Sequence, residues 1–200
     1  SFKKNSVEQC DVQSIISSYK EKIMNDMSAM LQCKTVSYRD ESLTDKKEFI
    51  KFQSLLEERF PEIHKKANLV KIGKTGLLYH IKGKKADNPT VCMSHYDVVP
   101  ADENQWEKTA FEGIIENDEI WGRGAIDTKS TLCGVTEALE IMLKNGYIPS
   151  NDLYLSFSGE EEIDGSSCPE IVANLEKAGV KPAFVLDEGG AIVDHVFPGV

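Results

Sequence analysis

No apolar run in this sequence approaches the roughly 20 residues that a membrane-spanning helix needs, and no internal repeat or low-complexity tract is present. Basic charge is scarce: 33 Asp and Glu stand against 23 Lys and Arg, a formal net charge of −10. That argues against a nucleic-acid partner, because phosphates need a basic surface to displace their counterions. Cysteines are few and scattered. The five, Cys10, Cys33, Cys92, Cys133 and Cys168, are odd in number and lack paired spacing, a poor disulfide framework and a poor zinc-finger pattern. A reducing cytoplasm is the expected setting. No apolar stretch follows Lys3 and Lys4, so no signal peptide is read, although a first residue of Ser rather than Met leaves a trimmed leader open.

What is present fits a soluble globular chain, with 40% hydrophobic and 28% charged residues. Residues 12–31 carry Ile15, Ile16, Tyr19, Ile23, Met27 and Met30 at helical spacing, and residues 45–60 repeat the pattern up to Pro61. Residues 69–72 and 76–81 flank a Gly73-Lys74-Thr75 turn and read as a hairpin; residues 111–115 and 119–121 flank Glu116-Asn117-Asp118 and read as a second. Short strands are expected over 90–94, 152–157, 183–186 and 191–196. Helices are expected over 128–145, stopped by Gly146, and over 166–178, closed by Gly179. Alternating strands and helices predict a layered α/β domain, and the hairpins make its sheet mixed.

The side chains at the strand ends carry the chemistry. Ligands gather at the carboxyl ends of strands in open α/β sheets. Here His95, the run Glu160-Glu161-Glu162 and Asp187 each follow a predicted strand, while Asp127 lies where a loop enters a long helix. One imidazole with several carboxylates is the inventory of a hydrolytic metal site, whereas a structural zinc would be richer in thiolate. Read singly, these residues have plainer uses: a strand-end histidine, a helix N-cap at Asp127, an acidic turn at 160–162, and loop-tying roles for Arg123 and Lys129. His64, His80 and His195 read as surface or strand histidines, and Trp106 and Phe111 as loop anchors.

Taken together, four stretches carry a resemblance. Ser94-His95-Tyr96-Asp97-Val98-Val99-Pro100, Gly122-Arg123-Gly124-Ala125-Ile126-Asp127-Thr128-Lys129, Glu161-Glu162-Ile163 and Leu186-Asp187-Glu188-Gly189 resemble the successive signatures of the M20 metallopeptidase family, in the family's order and about 25–35 residues apart. The resemblance covers roughly residues 45–195 and is nearest the carboxypeptidase S (Gly-X carboxypeptidase) branch. It implies an α/β/α sandwich with a mixed sheet and two Zn2+ per complete site, with Co2+ or Mn2+ as alternative metals. His95 is similar to a zinc ligand, and Asp97 to the aspartate that hydrogen-bonds its ring and belongs to the catalytic machinery. Asp127 is similar to the carboxylate shared by both ions, followed by a cis peptide bond to Thr128. Glu161 is similar to the general base, Glu162 to the ligand of one zinc, and Asp187 to the remaining ligand on the zinc of His95.

The family also uses a second histidine and a lid domain, neither of which matches anything in these 200 residues; His195 is misplaced for the role. The chain is therefore read as residues 1–200 of a catalytic zinc-binding domain without its lid and C-terminal return, expected to bind metal poorly at one site and to have little activity alone. The implied reaction is hydrolysis of an amide bond next to a free carboxylate, in a peptide or an N-acyl amino acid, with the lid as a homodimer interface. Rival readings are an N-acyl amino acid deacylase of the aminoacylase, acetylornithine deacetylase or desuccinylase type, and a non-catalytic binding protein that keeps the fold.

Overall fold

The structure is a computed structural model that describes residues 11–189. The first helix, α1 (Val12–Leu31), opens on Asp11, whose carboxylate accepts the Ser14 N–H at 3.0 Å, the usual way to satisfy an orphan donor at a helix start. α2 (Lys46–Arg59) opens on Asp45 in the same way and buries Phe49, Phe52 and Leu56 along one face. α2 ends before Pro61, as its sequence suggested, but a further helix that the sequence did not announce, α3 (Pro61–Lys66), begins there. Proline fits a first helical position. The next two N–H groups, of Glu62 and Ile63, donate to the buried carboxylate of Glu140 at 3.0 and 2.9 Å. That cap comes from 77 residues away, so no local pattern could announce it.

The sheet is built from β1 (Asn68–Ile72), β2 (Gly76–Ile81), β3 (Lys85–His95), β6 (Asn151–Ser158) and β7 (Phe184–Leu186), in the order β1-β2-β6-β3-β7. β2 runs antiparallel to both β1 and β6, whereas β3 runs parallel to both β6 and β7. The sheet is therefore mixed, as the hairpins predicted. Two small strands, β4 (Ile114–Glu116) and β5 (Glu119–Trp121), form the second hairpin around Asn117 and Asp118, both at positive φ. β4 starts three residues later than expected. Gly113 breaks the run with φ +58°, and Phe111 before it packs with Val98 and Ala110 instead.

Alternation along the strands separates two cores. Leu77, Tyr79 and Ile81 face a large cluster with Phe52, Leu56, Leu132 and Leu139, which joins α1, α2, α3 and α4 (Lys129–Lys144) to the sheet. Leu78 points to the opposite face and packs with Ile171 and Leu175 of α5 (Ser167–Lys177). Helices thus cover both faces, giving the α/β/α sandwich. β7 forms one edge of the sheet and is left open, with Phe184, Val185 and Leu186 exposed to 58%, 48% and 42%. The four described cysteines are free, and no described helix is long and apolar enough to cross a membrane. Cys10, His195 and the strand expected over 191–196 lie outside the described residues.

Candidate metal centre

The parallel arrangement of β3, β6 and β7 brings their carboxyl ends to one margin of the sheet. His95 is the last residue of β3 and pairs with Ser158, the last of β6; the Tyr96 N–H then donates to the Ser158 carbonyl at 2.9 Å. Glu161 follows three residues after β6 ends, and Asp187 directly follows β7. Asp127 arrives from elsewhere, two residues before α4. The bond between Asp127 and Thr128 is cis. Thr128, not Asp127, occupies the N-cap position of α4, so the Asp127 side chain is left for the site.

His95 is 1% exposed and lies at the centre. Its Nδ1 is 3.1 Å from the Asp97 carbonyl and 3.3 Å from the Asp97 carboxylate. A proton on Nδ1 satisfies both acceptors, which leaves the Nε2 lone pair facing outward. Around Nε2 stand Asp127 Oδ1 at 3.0 Å, Glu188 Oε1 at 3.2 Å and Glu161 Oε2 at 3.7 Å. Ligand atoms of His95, Asp127 and Glu188 all lie within 4.8 Å of one another, close enough to share an ion.

Asp97 is fully buried and does more than orient His95. Its two oxygens accept the backbone N–H groups of Glu161 and Glu162 at 3.1 and 3.2 Å, and the Ser37 hydroxyl at 2.7 Å. One carboxylate thereby ties the exit of β3 to the exit of β6. The acidic run at 160–162 becomes a short 3-10 turn in which consecutive side chains diverge. Glu161 faces His95, whereas Glu160 turns toward a cavity of about 440 Å³ lined with Phe49, Ile50, Thr75 and Ile163.

Electrostatics supplies the test of fit. Asp97, Asp127, Glu161, Glu162 and Glu188 surround one imidazole, and among the described residues none of them is in ion-pair contact with Lys or Arg. Burial and the neighbouring carboxylates push the carboxyls of Glu161 and Glu162 upward. Burial works against the charged form of His95, but the Asp97 hydrogen bond and the charges of Asp97, Glu188 and Glu161 prevail and hold the ring at about 9. A basic imidazole facing unneutralised carboxylates is the donor set of a hard or borderline divalent cation. The residues fit a metal.

Most, though not all, of the residues singled out in the sequence meet here. His95, Asp97, Asp127 and Glu161 come together, and Glu162 joins them through its N–H bond to Asp97. Asp187 does not stand beside His95; its Oδ1 accepts the N–H of Glu188, and the Glu188 side chain takes the place by the imidazole. The sequence offered Glu188 only as a member of the Leu186-Asp187-Glu188-Gly189 signature, with no ligand role. Elsewhere, Lys129 ties loops through backbone carbonyls rather than salt bridges, and Arg123 stacks over Trp106 at 5.1 Å. His64 contacts the Phe60 carbonyl and the Tyr79 hydroxyl, and His80 pairs with Asp152, so both serve the packing.

Comparison with known proteins agrees with this geometry. The profile of peptidase family M20/M25/M40 matches residues 91–200. Among curated proteins, the chain is 37% identical over 163 residues to a probable carboxypeptidase S-like 1 of Dictyostelium discoideum, covering 80% of this chain and 33% of that protein. It is 31% identical over 188 residues to the N-fatty-acyl-amino acid synthase/hydrolase PM20D1 of Xenopus tropicalis, covering 90% and 36%. The chain thus spans about a third of the length of these relatives. In three dimensions it is similar to the M20 family metallo-carboxypeptidase Sso-CP2 from Sulfolobus solfataricus, with a TM-score of 0.67 and 26% identity over 86% of this chain and 38% of that one. Human carnosine dipeptidase 1 shares the fold, with a TM-score of 0.72 at 13% identity over 90% of this chain and 40% of that one. With the profile matching more than half of its length, and with its strand-end imidazole and carboxylates gathered at one margin of the sheet, the chain belongs to peptidase family M20/M25/M40.

Proposed function

We propose that this chain carries most of the metal-binding face of a zinc-dependent hydrolase that cleaves an amide bond next to a free carboxylate. The observation that carries this reading is the convergence of Asp127, Glu161 and Glu188 on the outward nitrogen of His95. In this proposal His95, Asp127 and Asp187 would hold one ion, and Asp127 with Glu162 a second. Bound there, such ions would supply Lewis acidity, which acidifies water and polarises a carbonyl. Glu161 takes the proton of the attacking water. The water oxygen adds to the carbonyl carbon, the C–N bond breaks, and Glu161 passes its proton to the departing nitrogen. Asp97 keeps Nδ1 protonated and Nε2 free. The remaining histidine ligand, the lid and the interface between two copies are supplied, in the same proposal, by sequence outside this chain.

The relatives named as carboxypeptidases support a peptide substrate, and those named for N-fatty-acyl amino acids support an N-acyl amino acid. Both substrates have an amide beside a carboxylate. The full-length zinc-loaded protein is expected to hydrolyse members of a panel of dipeptides and N-acyl amino acids, with at least a tenfold loss when the terminal carboxylate is amidated. The ratio of kcat/KM between the two halves of the panel assigns peptidase or deacylase. Protein that holds zinc and cleaves neither class would support the binding-protein reading instead.

Asp187 is preferred over Glu188 as a ligand on strand parity. β7 is in register with β3 at Cys92 and Leu186, so alternation gives Asp187 the face of Met93 and therefore that of His95. Glu188 reaches Nε2 by its longer side chain. The expected result is that Asp187→Asn lowers zinc content by about one ion per site, read by mass spectrometry, whereas Glu188→Gln retains both ions. The reverse outcome transfers the ligand role to Glu188.

A further inference from the structure

We propose that residues 30–37, the end of α1 and the segment after it, form a bracket that fixes the distance between His95 and Asp127, with Ser37 and Lys129 as its positioning contacts. This inference rests on the proposed metal-centre reading.

His95 ends β3 and Asp127 lies in the loop before α4, 32 residues on, yet His95 Nε2 and Asp127 Oδ1 must keep a separation near 3.0 Å. Besides that contact, the Ser94 hydroxyl donates to the Thr128 carbonyl at 3.2 Å. The remaining support runs through the bracket. On the His95 side, Val36 and Val98 form a parallel bridge, the Val98 N–H donates to the Thr35 carbonyl at 3.0 Å, and the Ser37 N–H donates to the Val98 carbonyl at 3.2 Å. The hydroxyls repeat the link: Thr35 donates to the Tyr96 carbonyl at 2.5 Å, and Ser37 donates to the Asp97 carboxylate at 2.7 Å.

On the Asp127 side, Lys129 is the first residue of α4 and sends its amine inward. Nζ donates to the carbonyls of Met30 and Cys33 at 3.0 and 2.8 Å and stands 5.2 Å from the centre of the Phe52 ring. These carbonyls lie at and just beyond the end of α1, where the helix dipole favours a donor that carries positive charge. Thr35, Lys129 and Asp97 are fully buried, and Ser37 is 5% exposed. Neither Ser37 nor Lys129 hydrogen-bonds to the side chain of His95, Asp127, Glu161 or Glu162. Ser37 and Lys129 therefore act through Asp97 and through the start of α4, and are not catalytic.

The bracket explains why a buried lysine is placed at this point. A methionine of similar length would fill the space but take one donor from each of two carbonyls, leaving them only the N–H groups of Cys33 and Thr35 at 3.2 and 2.8 Å, and the end of α1 would lose its tie to α4. Removing the Ser37 hydroxyl takes one of four donors, the others being His95 Nδ1 and the N–H groups of Glu161 and Glu162, from a carboxylate that aligns both His95 and the backbone of Glu161. Neither change removes a ligand. Both loosen the spacing that the ligands need.

The test uses Co2+ alone as the probe, titrated into the metal-free full-length protein and followed by visible absorption. Ser37→Ala and Lys129→Met are expected to weaken Co2+ binding by about 10–100-fold, the range for groups that orient metal ligands, and to alter the absorption envelope. Ser37→Thr restores the hydroxyl and is expected to return both readouts close to the parent protein. Thr136→Val is the control, because that buried hydroxyl bonds only to the Leu132 and Cys133 carbonyls within α4; its loss should lower stability without changing the Co2+ spectrum. If Lys129→Met does not fold, the Ser37 pair decides alone. Parent-like affinity and spectrum in Ser37→Ala, or equal weakening by Thr136→Val, overturns the bracket while hydrolysis by the parent leaves the proposed function standing. A parent protein that takes up no Co2+ removes the metal reading and the bracket with it.

Discussion

Replacing Glu161 by Gln in the full-length protein is expected to lower kcat by about 10²–10⁴, the usual contribution of a positioned general base, with zinc content unchanged. The Glu161 carboxylate is half exposed and 3.7 Å from His95 Nε2, so it reaches the open side of the site without being enclosed by it. Its backbone N–H is held by Asp97. A glutamine keeps that bond and the side-chain volume but cannot receive a proton from water. Burial and the neighbouring Glu188, Asp97 and Asp127 charges raise the Glu161 carboxyl above its ordinary 4.5, which brings a base closer to the pH at which it works. The ionised form is the active one. Activity should therefore rise with pH through this titration, and the acid limb of the kcat/KM profile should disappear in the variant. Glu160→Gln is the companion measurement, since Glu160 turns away toward the cavity beside Thr75. A Glu161→Gln protein that keeps more than about a tenth of the parent kcat, or a larger loss in Glu160→Gln, would move the base to another residue.

The stability that saturating Zn2+ adds is expected to grow as pH rises. In the metal-free site His95 is held at about 9 against an ordinary 6.5. The folded state binds that proton more tightly than the unfolded chain, so its contribution is complete below about pH 6.5 and is lost as pH climbs through about 9. Glu161 and Glu162 are also raised above 4.5. They too keep protons that the unfolded chain releases, so their effect has the same sign and starts at lower pH. A divalent cation competes with the His95 proton for Nε2 and neutralises the carboxylates, so its advantage grows in the alkaline direction. At a free concentration about 1,000 times its dissociation constant, the ion adds about 4 kcal/mol. Urea melts at about pH 5 and about pH 9, with chelator or with zinc, read this directly. Burial lowers Lys129 to about 7, an opposite effect present with and without metal, so a zinc-induced midpoint shift that is absent, or no larger at about pH 9 than at about pH 5, would contradict the proposed donor set.

The site was legible in the sequence to the extent that it sits at the ends of regular elements. His95 closes an apolar strand, Asp127 precedes a long amphipathic helix, and Glu161 follows an alternating run, so local pattern marks each position before any contact is known. The same patterns gave the helices α1, α2, α4 and α5 and the sheet's mixed character. They could not give α3, whose N-terminal donors are satisfied by Glu140 from another helix. Nor could they separate Asp187 from Glu188, because which of two adjacent carboxylates meets an imidazole depends on how the chain leaves its strand. Ser37 and Lys129 look ordinary along the chain. Their meaning comes from burial against Asp97 and the end of α1, contacts 60 and 96–99 residues distant in sequence, and only tertiary structure contains that information.

The open margin of β7 bears on how this polypeptide behaves in a tube. Among the described residues, Phe184, Val185 and Leu186 present greasy faces, and their backbone has a strand partner on one side only, a template onto which an extended segment can add by hydrogen bonding. A net charge of −10 disperses molecules at long range but is screened within a few ångströms in concentrated salt. Colloidal behaviour will therefore turn on ionic strength and on whatever polypeptide occupies that border, far more than on the carboxylates gathered a short distance away.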